Sequence, residues 1–89
     1  MRQALAEFLN YLVVEKGLAA NTVSAYRRDL EGFLTFLEKD GFLSLASVTR
    51  EHILAFLLSL SKENKASATI NRHLSAIRAF FRFLVQEGY

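Results

Sequence analysis

Apolar residues return every three to four positions along four stretches of this chain, and each stretch is bounded by residues that start or stop helices. The first covers about 2–16, with Leu5, Phe8, Leu9 and Leu12 on one stripe and Gly17 placed to end it in a left-handed turn. The second opens at Asn21, whose short amide suits an N-cap, and runs to about 40, where Gly41 stops it. Its Val23, Tyr26, Leu30, Phe33, Leu34 and Leu37 fall within a sector of about 100° when residues advance about 100° each. The third, about 50–61, follows Thr49 and carries Ile53, Phe56, Leu57 and Leu60. After a polar stretch from Ser61 to Ser67, the fourth runs from about 68 to 87, with Ser67 as N-cap and Gly88 as stop. Its inward stripe is read as Ile70, Leu74, Ile77, Phe81, Leu84 and Val85. Phe42, Leu43, Leu45 and Val48 alternate too irregularly for a strand and read as an apolar connector laid on the bundle.

The pattern therefore predicts an all-α fold, a small bundle of four to five helices. Leu9, Leu12, Tyr26, Leu30, Phe33, Leu57, Leu74, Ile77 and Phe81 are expected to share its core. On that register Leu74→Ala should cost about 2–5 kcal/mol.

Composition narrows the class further. With 89 residues the chain fits one small domain, and 52% hydrophobic residues, eight of them Phe, exclude a disordered segment. Cysteine is absent, which removes disulfides, thiolate nucleophiles and Cys-ligated zinc, and the absence of proline suits long uninterrupted helices. No apolar run reaches the ~18–20 residues needed to span a bilayer, and Met1-Arg2-Gln3 leads into no signal-peptide core, so a cytoplasmic protein without membrane contact is expected.

Catalytic constellations are hard to assemble from these residues. His52 and His73 lie on different helices with no metal-ligand spacing around them, and the acidic residues are scattered among basic ones, which reads as solvated faces and helical ion pairs. His73, one residue before Leu74, should edge the core. No glycine cluster is present to cradle a nucleotide phosphate, and no cofactor or metal is expected.

The net charge of +2 decides little by itself, so what matters is where the basic residues gather. Asn21, Thr22, Ser24, Ala25, Arg27 and Arg28 begin the second helix, and Lys65, Ser67, Thr69, Asn71 and Arg72 begin the fourth. Hydroxyls, cations and free N–H groups at a helix start suit phosphate contact, and small residues such as Ala25 and Ala76 let a backbone approach a groove. The plainer reading is that these residues cap their helices and that Arg27 and Arg28 pair with Asp29 or Glu31. On the fourth helix Thr69, Arg72 and Ala76 occupy one flank and Asn71, Ser75, Arg78 and Arg82 the other, and spacing does not choose between them.

Two long stretches carry a resemblance. Gly17-Leu18-Ala19-Ala20-Asn21-Thr22-Val23-Ser24-Ala25-Tyr26-Arg27-Arg28-Asp29-Leu30, with Phe33 and Phe36-Leu37 behind it, resembles the first long motif of Xer-type and phage-integrase tyrosine recombinases. Ser67-Ala68-Thr69-Ile70-Asn71-Arg72-His73-Leu74-Ser75-Ala76-Ile77-Arg78-Ala79-Phe80-Phe81-Arg82-Phe83-Leu84 resembles the second.

The resemblance implies a SAM-like core-binding domain, spanning 1–89, that is joined in the parent protein to a separate catalytic domain. The two halves close on double-stranded DNA as a clamp, within a tetramer of recombinase protomers, and this half lays its second and fourth helices near the major groove. It implies a DNA-facing set of Ser24, Ala25, Arg28, Lys65, Ser67, Thr69, Arg72 and Ala76, with Arg27 assignable to either class, and so selects the Arg72 flank. The family's tyrosine nucleophile and its arginine, lysine and histidine helpers match nothing here, since His73 and Arg78 do not form a His-x-x-Arg pattern and Tyr11, Tyr26 and Tyr89 sit in no nucleophile motif. A non-catalytic, monomeric binding module is expected. The competing expectation is a helical protein-interaction domain whose Phe36, Phe80 and Phe83 are exposed to dock a partner helix.

Overall fold

In the computed structural model, which describes residues 1–41 and 44–89, the chain forms four α-helices: α1 Arg2–Val14, α2 Ala20–Lys39, α3 Arg50–Lys62 and α4 Ser67–Glu87. A short 3-10 turn, Leu45–Ser47, lies between α2 and α3. No strand occurs among the described residues, as the apolar spacing requires. Phe42 and Leu43, assigned above to the connector, lie outside the described residues, but Leu45 and Val48 do pack against the core.

Left-handed residues end the helices. Gly88 (φ 80°) closes α4 with its own N–H on Val85 O and the Tyr89 N–H on Leu84 O, at 3.3 and 3.0 Å. Asn64 (φ 65°) plays the same part after α3, where the N–H groups of Asn64 and Lys65 reach the carbonyls of Ser61 and Leu60 at 3.0 and 3.1 Å. Asparagine tolerates this conformation better than other residues with a Cβ, which is why the chain turns there without a glycine. At the start of α3, Thr49 N donates to His52 Nδ1 at 2.8 Å, so His52 serves as a reciprocal capping partner.

The helices pack around one cluster. Leu5, Phe8, Leu9 and Leu12 of α1 meet Leu30, Phe33, Leu34 and Leu37 of α2, with Phe56 and Leu60 from α3 and Ala76, Ile77, Phe80, Phe83 and Leu84 from α4. Arg2 Nη2 donates to Glu38 Oε1 at 2.9 Å and Thr35 Oγ1 at 3.2 Å, fixing the start of α1 beside the end of α2. Tyr26, Leu57 and Phe81 are partly buried against the cluster rather than inside it.

Helix α4 is rotated relative to the expected stripe. Phe80 is 0% exposed, with ring centroids of Phe8 and Phe81 at 5.4 and 5.7 Å, while Val85, expected inside, is 78% exposed and Leu74 is only half-buried. The cause is that α4 touches all three other helices. Phe80 and Phe83 pack on Phe8 of α1, whereas Phe81 reaches Phe33 of α2 from the other side. An apolar face that wide has no single stripe to read. Phe80 and Phe83 are thus core residues, not exposed docking residues, and Phe36 is half-buried against Phe56 at 5.4 Å.

Candidate nucleic-acid interface

Helices α2 and α4 begin alike. Ala19 (φ −65°, ψ 153°) and Ala66 (φ −66°, ψ 152°) occupy the cap positions, and neither helix start is capped by a side chain. Asn21 and Ser67, expected as caps, lie instead within the first turns, because the extended backbone falls at the alanines before them. Both helix starts therefore keep their positive ends open to solvent and to anions.

Between α2 and α4 lies a cleft of about 360 Å³, lined by Asn21, Thr22, Ala25, Tyr26 and Asp29 from α2 and by Arg72, Ser75 and Ala76 from α4. Three residues of the expected DNA-facing set, Ala25 of α2 with Arg72 and Ala76 of α4, meet here, and Ser75, assigned by spacing to the opposite flank with Arg78 and Arg82, lines the same cleft. Ala76 was expected to face outward and is only 3% exposed: it forms the floor of the cleft, and with Ala25 it lets the two helices come close. Arg28 is exposed one turn after Ala25, and Thr69, half-buried, stands one turn before Arg72. Ser24, Lys65 and Ser67 are exposed outside the cleft lining, with Lys65 in the turn that leads into α4. Arg27 lies over the groove between α1 and α2, with Glu31 and Asn10, away from the cleft.

At the cleft wall sits the one buried charged side chain among the described residues. Asp29, 3% exposed, accepts from Arg72 Nε at 2.8 Å and from Arg72 Nη2 at 3.0 Å, and His73 Nε2 lies 3.4 Å from its Oδ1. His73 is itself held by Thr69 O, 2.8 Å from its Nδ1, and its ring lies 5.9 Å from that of Phe56. It edges the core, as its position beside Leu74 suggested. The Asp29 carboxylate holds the Arg72 guanidinium more firmly charged than usual, first through the hydrogen bond and then through Coulomb attraction.

Sequence reasoning missed this pair. It grouped Asp29 with the solvated acids, and the only available signal was that Asp29 borders the apolar sector of α2. Arg27, Arg28, Lys65, Arg78 and Arg82 form no ion pair with any described residue, so the proposed pairing of Arg27 and Arg28 with Asp29 or Glu31 does not occur.

The other flank of α4 is different in character. Arg78 and Arg82 border a groove of about 660 Å³ between α3 and α4, with Arg50 and the exposed Leu54 and Val85. Tyr11 stacks among Phe8 and Phe83, Tyr26 lines the cleft, and the Tyr89 hydroxyl donates to Glu7 Oε1, which raises the phenol's pKa above its ordinary value. Among the described residues no group of three or more His, Cys, Asp or Glu is placed to hold a metal ion, and no helix is long and apolar enough to cross a membrane.

Fold and cleft together define a small all-α bundle in which two helices that start without side-chain caps border a cleft floored by small residues. The family described as phage integrase, N-terminal SAM-like domain, matches residues 5–88, and the chain belongs to that family. Among similar proteins, tyrosine recombinase XerC of Herpetosiphon aurantiacus is 45% identical over 84 residues, covering 94% of this chain and 28% of that protein. Tyrosine recombinase XerD of Oceanobacillus iheyensis is 38% identical over 88 residues, 98% of this chain and 30% of that one. XerC of Roseiflexus castenholzii is 40% identical over 88 residues, 99% and 28%. The chain thus spans less than a third of the length of these relatives and corresponds to their SAM-like module. No solved structure gives a significant match.

Proposed function

We propose that the chain is the DNA-binding clamp module of a tyrosine site-specific recombinase. It seats double-stranded DNA over the α2–α4 cleft, while a separate C-terminal domain carries out strand cleavage and joining in the cytoplasm, within a tetramer of protomers. The observation that carries this reading is the convergence of Ala25, Arg72 and Ala76 on one cleft beside two uncapped helix starts. Arg28 and Lys65, exposed and unpaired, supply attraction to phosphates, and Ser24, Ser67 and Thr69 fix orientation through hydroxyl contacts. The module itself does no bond-making. Tyr89 is engaged by Glu7, Tyr11 is packed among rings, and the cleft that Tyr26 lines offers Arg72, already paired with Asp29, rather than the set of free arginines and histidines that stabilises a pentacoordinate phosphate.

Half a clamp should bind in the non-specific range, Kd about 10⁻⁴–10⁻⁶ M, with a salt slope reporting a few phosphates. The test is fluorescence anisotropy of a labelled duplex titrated with the chain at several salt concentrations. Arg28→Ala and Lys65→Ala should each weaken binding of all sequences and flatten the logarithmic salt slope by about 1. Arg82→Ala, outside the lining of the α2–α4 cleft, should leave both unchanged. Binding that ignores Arg28 and Lys65 but is abolished by Arg82→Ala would place the DNA face on the wrong flank of α4.

A further inference from the structure

From the Arg72–Asp29 pair we infer that the cleft is a guanine-reading site, with Asp29 the positioning residue that presets the Arg72 guanidinium for the major-groove edge of a guanine. The inference rests on the DNA-binding reading above and adds which base the cleft selects.

Asp29 engages the guanidinium side-on, taking one hydrogen from Nε and one from Nη2. Of the five N–H donors of arginine, both hydrogens of Nη1 and the second of Nη2 remain. Those on the far edge of the plane form two parallel donors directed away from the carboxylate. Arg72 is 52% exposed at its side chain while Asp29 is 3% exposed, so the occupied edge is the buried one and the free edge belongs to solvent.

The charge balance decides what that free edge selects. A guanidinium joined to a buried carboxylate is close to neutral as a pair, so its long-range pull on phosphate is small compared with that of the unpaired Arg28 or Lys65. What survives pairing is direction: two parallel N–H groups in a fixed plane. Guanine alone presents two acceptors, O6 and N7, side by side in the major groove. Adenine sets an amino donor beside N7, and thymine pairs a single carbonyl with a methyl group, so neither satisfies both donors.

The surroundings make the arrangement rigid. Asp29 is flanked by His73, which is tied to Thr69 O, and the pair stands beside a floor of Ala25 and Ala76 that leaves room for a base edge. A preset fork gives up less rotamer freedom on binding than a free arginine, which favours discrimination.

The test is selection of duplexes from a randomised library by the intact chain, followed by measured affinities for the best sequence and for its guanine-replaced versions. Wild type should enrich one guanine and bind its replacements about five- to 150-fold more weakly. Arg72→Lys keeps the cation and its pairing with Asp29 but offers a point charge instead of a fork. It should erase that preference while leaving the salt slope unchanged. Asp29→Asn should reduce the preference in protein shown to be folded by circular dichroism, and if it does not fold, Arg72→Lys decides alone. A purely structural ion pair predicts instead that Asp29→Asn lowers the melting temperature and leaves the guanine preference of the folded protein intact. That result, a guanine preference surviving Arg72→Lys, or selected duplexes with no common guanine would each overturn the inference. Retention of no duplex at all would overturn the DNA-binding reading itself.

Discussion

The rotation of α4 makes a sharp prediction about two of its residues. Phe80 is fully buried between Phe8 and Phe81, so Phe80→Ala removes a complete ring from the cluster and should cost about 3–5 kcal/mol. Leu74 is half-buried and outside that cluster. Its truncation should cost about 1 kcal/mol, roughly half the transfer value of a fully buried leucine. A chain of 89 residues holds a total stability of about 4–13 kcal/mol, so the first loss is about a quarter or more of the whole and the second is modest. At about 4–8 °C per kcal/mol for a domain of this size, Phe80→Ala should lower the melting temperature by about 12–40 °C and Leu74→Ala by less than 10 °C. Urea titration followed by far-ultraviolet circular dichroism measures both, and a Phe80 variant that is unfolded without denaturant satisfies the order. If Leu74→Ala proves as costly as Phe80→Ala, the helix faces the way its aliphatic spacing suggested and the packing described here is wrong.

Further outcomes follow from particular positions. Asn64→Ala places a residue with no side-chain compensation at φ 65° and should lower stability by about 1 kcal/mol, whereas Asn64→Gly should be neutral or stabilising, as thermal melts of the pair will show. Ala76→Leu, at a site 3% exposed, should destabilise by about 1–3 kcal/mol through overpacking and weaken duplex binding, read by melting and anisotropy on the same samples. Glu51 is held below its ordinary carboxylate value of 4.5, chiefly by a backbone hydrogen bond and then by Thr49. Its contribution to α3 is therefore present above that pH and lost as pH falls through the lower folded value. An acid titration of wild type should accordingly show a small loss of helix below about pH 4.5 that Glu51→Gln removes.

Much of this architecture was legible because local rules carry it. Gly88 and Gly41 end helices where they stand, Thr49 starts α3, and the stripes of α1 and α2 bury Leu5, Phe8, Leu30 and Phe33 as their spacing required. What was not legible depends on partners distant in sequence. Asp29 and Arg72 are 43 residues apart, and nothing in either neighbourhood shows that α2 and α4 bring them to 2.8 Å. Likewise, α4 is apolar over so much of its circumference that only contact with α1 on one side and α3 on the other decides that Phe80 points in and Val85 out. Capping rules name suitable side chains but not where the backbone becomes extended, which is why Asn21 and Ser67, expected as caps, lie two residues and one residue past the true cap positions Ala19 and Ala66. For the candidate interface, spacing found both helix starts and left the flank open. The resemblance chose the Arg72 side, and the cleft gathers Ala25, Arg72 and Ala76 there.

The central claim, that DNA sits over the α2–α4 cleft, is tested most directly by nuclear magnetic resonance. Amide and arginine side-chain signals of the isotopically labelled chain are followed as an unlabelled duplex is added at low salt. The largest shifts should fall on Thr22, Ala25, Arg28, Thr69 and Arg72 and diminish together as salt is raised, with the groove bordered by Arg50, Arg78 and Arg82 left unperturbed. Shifts concentrated on Leu54, Arg78, Arg82 and Val85, with the cleft residues unmoved, would contradict it.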